Sequence, residues 1–81
     1  MPDTSHSGHI YKVVEIIGSS QEGVDDAIRS AVSRASQTLR GLDWFEVKEI
    51  RGMIQDGDIG WFQVKVGIGF RVLDPADLER E

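Results

Sequence analysis

From Trp61 to Val72 the chain reads "WFQVKVGIGFRV", and every second position is apolar: Phe62, Val64, Val66, Ile68, Phe70 and Val72. Successive side chains of a strand point to opposite faces, so this is a strand with one core face. The other face carries Trp61, Gln63, Lys65, Gly67, Gly69 and Arg71. Upstream, "LDWFEVKEIRGMIQ" has a similar alternation, and Asp56-Gly57 separates the two segments. Asp-Gly between strand patterns signals a two-residue hairpin turn with positive φ at both positions. The turn sets Gln55 opposite Asp58. The same register continued pairs Val47 with Val66 and Phe45 with Ile68 on the apolar face. On the other face it pairs Glu46 with Gly67 and Trp44 with Gly69, and it sets Gln63 opposite Ile50. A bulge at Gly52 or Gly60 would shift this register by one. Read as a regular strand, the segment turns Glu46 and Glu49 to opposite faces, which argues against a catalytic pair.

The N-terminal half follows different periods. "HIYKVVEII", residues 9–17, is rich in Val, Ile and Tyr and reads as a first strand, with "GSSQEG" at 18–23 as a loop. In "VDDAIRSAVSRASQTLRGL", Val24, Ala27, Ile28, Ala31, Val32, Ala35 and Leu39 fall on one helical stripe. Gly23 is the expected N-cap, with Asp25 and Asp26 favourably placed at the positive end of the helix dipole. A capping box from Ser19 to Glu22 is the competing start. Arg40 and Gly41 supply the expected stop. The order strand–helix–strand–strand predicts an α+β domain in two layers: a three-stranded antiparallel sheet, order 1-3-2, packed on one helix. "MPDTSHSG" (1–8) is expected to be a disordered tail, and "DPADLERE" (74–81) a polar one.

Composition narrows the function. The chain has 81 residues, no cysteine and a formal net charge of -5. Its length allows one domain whose core alone supplies only about 3–5 kcal/mol, and no disulfide or thiolate metal site reinforces it. Oligomerisation is the remaining reinforcement. The acidic balance disfavours nucleic acid and anionic membranes. No stretch has the length of a transmembrane helix, and the start lacks a signal peptide's basic and apolar regions. The expectation is a soluble cytoplasmic protein.

One helix covers one side of a three-stranded sheet, so the face with Gly67, Gly69 and Trp44 needs another cover. Glycine inside a strand marks close approach of a ligand or backbone. An indole over a glycine floor makes a flat slot suited to a planar ring system. The same pattern also fits plain interface core, so the residues alone predict an oligomer with room for a planar ligand at its interface. Trp61 lies near the hairpin end and reads as packing. The chain shows no nucleophile triad, phosphate loop or metal-ligand cluster, and Gly67-Ile68-Gly69 lies inside a strand rather than in a dinucleotide-binding turn. The sequence does not read as an enzyme.

"YKVVEIIGSS", "DDAIRSAVSRASQTLRGLDWFEVKEIRG" and "FQVKVGIGFRV" together closely resemble the dodecin family over residues 9–73. The most specific pieces are "WFEV" after the helix and "FQVKV" before the last glycines. The resemblance implies a βαββ subunit, a hollow homododecamer, and flavins stored in pairs at subunit interfaces. Trp44 matches the tryptophan that stacks on the isoalloxazine, and Gln63 the glutamine that hydrogen-bonds to it. Arg51 and Arg71 match positions that lie near the phosphate in relatives holding flavin mononucleotide (FMN). Glu46 and Lys65 share the same face and complete the candidate binding set. The expected cofactor is FMN, with riboflavin and flavin adenine dinucleotide as alternatives and coenzyme A as a second expected ligand. Two departures stand out. Gly23 replaces a capping Ser, at a cost of a few tenths of a kcal/mol. Met53 stands where a His is common.

Overall fold

The computed structural model describes residues 9–72. They form β1 (Tyr11–Ser20), α1 (Val24–Ser36), β2 (Leu42–Gln55) and β3 (Asp58–Arg71). The sheet is antiparallel with order β1-β3-β2, as the alternation predicts. The two polar ends expected as tails lie outside the described residues.

The turn is the two-residue type the Asp-Gly signal requires. Asp56 and Gly57 have φ of 52° and 78°, and Gln55 faces Asp58. Two bulges then act in opposition. Gly60 is the extra residue in β3, and Lys48 is the extra residue in β2. Between them the register is offset by one, so Gln63 faces Arg51 rather than Ile50. Beyond Lys48 the offset is cancelled, and the pairs Val47–Val66, Phe45–Ile68, Glu46–Gly67 and Trp44–Gly69 form as expected. A third irregularity follows between Trp44 and Leu42.

The Lys48 bulge also corrects the facing of two carboxylates. Glu46 pairs with Gly67 and Glu49 with Lys65, positions that share one face of β3. The extra residue resets the alternation, so both glutamates lie on the open face.

Two boundaries also differ from the sequence reading. β1 runs on through Gly18, Ser19 and Ser20 because β3 offers them Val64, Gln63 and Phe62 as partners. Strand pairing here overrides the loop-like composition. The helix stops at Ser36, earlier than Gly41, because the amide groups of Gln37 and Thr38 turn to the carbonyls of Arg34 and Ala35. Gly41 instead takes φ 71° to enter β2, where its carbonyl accepts the Arg71 amide at 2.9 Å. Gly23 is the N-cap, without a side-chain cap. The capping box from Ser19 is not formed. Ser20 Oγ instead accepts the Glu22 amide at 2.8 Å and donates to Asp26 at 2.7 Å, bracing the helix entry.

The core is thin. Ala27, Ala31 and Ala35 of α1 pack on Val64, Val66 and Ile68 of β3. Gly18 lets the helix approach β1 closely, since a Cβ there would run into the Ala27 carbonyl and lie 3.1 Å from the Ala31 Cβ. The helix leaves β2 bare. Only Leu42 of that strand is partly buried against the core, while Phe45, Val47, Ile50 and Ile54 are exposed.

Candidate functional site

The face away from the helix carries every candidate residue, gathered at two separate ends. At one end Trp44 projects over Gly69, where an added Cβ would collide with the six-membered ring of the indole. The glycine floor therefore decides how low the ring can lie. The Tyr11 ring meets the indole edge-on, with centroids 5.3 Å apart and planes at 64°. Trp44 Nε1–H donates to Glu46 Oε2 at 3.4 Å, and Lys48 Nζ sits 2.7 Å from Glu46 Oε1. The indole is thus held from below, from one side and at its N–H, with 40% of the residue still exposed. Lys48, then Trp44, holds the Glu46 carboxyl below its ordinary value, and Glu46 in turn raises Lys48. Arg71 belongs to this end, across from Tyr11 and two residues beyond Gly69.

At the other end Gln63 lies between Arg51 on β2 and Ser19 on β1. Arg51 Nε–H donates to Gln63 Oε1 at 3.0 Å, and Gln63 Nε2–H donates to Ser19 Oγ at 3.4 Å. Lys65 Nζ is 3.5 Å from Glu49 Oε1. Ile17, Glu49, Arg51, Gln63 and Lys65 line a small recess, and a more open one beside it is lined by Ser19, Met53, Trp61 and Gln63.

Gly69 and Gln63 are six residues apart on β3, roughly 20 Å. A single tricyclic ring system cannot reach from Trp44 to Gln63 of the same chain. The six predicted residues therefore split into two groups, Trp44, Glu46 and Arg71 at one end, and Gln63, Arg51 and Lys65 at the other. A groove of about 450 Å³ runs between α1 and β1 past Ile16, Ala31, Arg34 and Leu39, and includes none of them.

The sequence reading placed none of Tyr11, Ser19, Lys48 and Glu49 in the site. Tyr11 and Ser19 required the β1–β3 register, while the bulge hid Glu49. Lys48 was legible, two residues beyond Glu46 on the same face.

The sequence profile of the dodecin family matches residues 10–73. The chain belongs to the dodecin family. A dodecin from Thermus thermophilus is 52% identical over 65 residues, covering 80% of this chain and 94% of its own. The structure of dodecin from Streptomyces coelicolor superposes with a TM-score of 0.80 at 54% identity, covering 84% of this chain and 97% of that one. A calcium dodecin from Mycobacterium tuberculosis, described with a novel calcium-binding site, has a TM-score of 0.69 at 27% identity, over 82% and 94% of the two chains. Among the described residues here, no group of three or more His, Cys, Asp or Glu is placed to hold a metal. The fold expected from the sequence is the family's fold. Its members are small binding proteins rather than enzymes. No described helix is long and apolar enough to cross a membrane.

Proposed function

We propose that this chain stores and buffers flavin, with FMN as its main ligand, at the subunit interfaces of a cytoplasmic homododecamer. One observation carries the reading. The indole of Trp44 lies ready over a glycine floor, and the polar group suited to read a ring edge, Gln63, stands roughly 20 Å away on the same strand. Two chains are needed to bring such groups to one ring. The bare apolar side of β2 supports assembly, because large exposed apolar patches mark contact surfaces.

In this reading Trp44 stacks on the isoalloxazine, Gln63 of another subunit holds its pyrimidine edge, and Arg51 and Arg71 favour a phosphorylated ligand through charge-assisted hydrogen bonds. The stacked indole lends an electron to the excited ring and takes it back. This quenches fluorescence and limits photochemical damage without net reaction.

Titrating FMN into cofactor-free, assembled protein tests this. Deep quenching that saturates near one flavin per subunit is expected. Trp44→Ala should lose most of the affinity, a hundredfold or so, yet still assemble. Loss of assembly in that variant would make Trp44 interface core instead. Absence of quenching by assembled wild type would leave coenzyme A binding or a purely structural oligomer.

A further inference from the structure

A glutamine side chain is ambiguous as a reader, because it can offer either a carbonyl or an N–H. Here the ambiguity is resolved by its neighbour. A guanidinium only donates, so the amide atom 3.0 Å from Arg51 Nε must be the oxygen, Oε1. Arg51 is not drawn off to the carboxylate in the same recess, since Glu49 faces Lys65. Ser19 accepts one N–H of Nε2 from the β1 side, which fixes the amide plane. With Oε1 turned to Arg51 and one N–H to Ser19, Nε2 has its second N–H left to offer a ligand.

We propose that Arg51 is a positioning residue: through its hydrogen bond to Oε1 it turns Gln63 so that the site presents an amide N–H, selecting a ring edge that carries hydrogen-bond acceptors. This rests on the flavin reading and deepens it. The pyrimidine edge of an isoalloxazine offers carbonyl oxygens and ring nitrogens as acceptors, with a single N–H between the two carbonyls. The proposed polarity directs Gln63 to an acceptor and not to that N–H. It also divides the work of Arg51. Its Nε serves Gln63, and its two terminal amino groups remain for a phosphate.

Riboflavin lacks the phosphate, so it isolates the positioning role. Riboflavin and FMN are titrated by fluorescence quenching into assembled wild type, Arg51→Met, Arg51→Lys, Gln63→Leu, Gln63→Glu and the Arg51→Met/Gln63→Leu double variant. Size-exclusion chromatography confirms each assembly. Arg51→Met should weaken riboflavin about tenfold, the scale of one hydrogen bond. The double variant should be no weaker than the poorer single variant, because Arg51 acts through Gln63. Arg51→Lys, which still donates, should recover part of the loss. Gln63→Glu keeps the bond to Arg51 but has no N–H, and should weaken riboflavin at least as much as Gln63→Leu. Unchanged riboflavin affinity in Arg51→Met, with only FMN weakened, would reduce Arg51 to a phosphate ligand and overturn the proposal. So would additive losses, or a Gln63→Glu protein that binds as well as wild type. A wild-type assembly that binds neither flavin would instead remove the flavin reading itself.

Discussion

Trp44 is held partly by packing and partly by charge, and only the second part responds to pH. Gly69 and Tyr11 hold the indole by contact, whereas Glu46 accepts its N–H as a carboxylate. The Glu46 carboxyl lies below its ordinary value of 4.5, first through the hydrogen bond from Lys48 and then through that from Trp44. A lowered carboxylate contributes above its unfolded value, and its contribution is lost as pH falls through the folded one. Lys48 is raised above 10.5, so its share is present below that value and is lost as pH rises through the higher folded one. The pair is therefore intact throughout the neutral range. Both groups are solvent-exposed, so the effect on global stability is small and the local effect is the one to measure. In a Trp61→Phe background, Trp44 is the sole tryptophan. Its emission should stay flat near neutrality and change with a midpoint below pH 4.5, a change that Glu46→Gln removes. A midpoint above 4.5 would show that the Lys48 contact does not form in solution.

Among the elements, the contact of α1 with β1 has the least room. Gly18 faces the Ala27 carbonyl and the Ala31 methyl, so Gly18→Val forces backbone apart and should cost about 1–3 kcal/mol. Urea denaturation should show a lower midpoint with an unchanged slope. The alanine stripe of α1 already indicated a close approach, but the glycine opposite it was read as loop. The sheet order, the hairpin and the seating of Trp44 over Gly69 followed from alternation and from Asp-Gly, because each rests on local chemistry. The Gly60 bulge was legible as one of two glycine options. The Lys48 bulge was not, since "VKEI" contains no residue that favours one and the extra residue is imposed by pairing with β3. The two bulges together shaped the site: the Gly60 bulge set Gln63 opposite Arg51, and the Lys48 bulge kept Glu46 on the open face beside Glu49.

At the scale of the whole molecule, one helix and a thin core support a long hairpin whose outer strand is bare on both faces. In the proposed assembly such a chain gains its missing burial from copies of itself. The separation of Trp44 from Gln63 along β3 then has a genetic consequence. A site that takes its stacking ring from one chain and its amide from another can be rebuilt from two defective chains. Trp44→Ala chains still carry Gln63, and Gln63→Leu chains still carry Trp44. Refolded together in equal amounts and assembled at random, they should restore about a quarter of the sites to full affinity, although neither homogeneous oligomer binds flavin well. If both groups served one ring from the same chain, mixing would restore none. The two alleles would complement each other within a single gene product, with the proposed assembly as the unit that carries the phenotype.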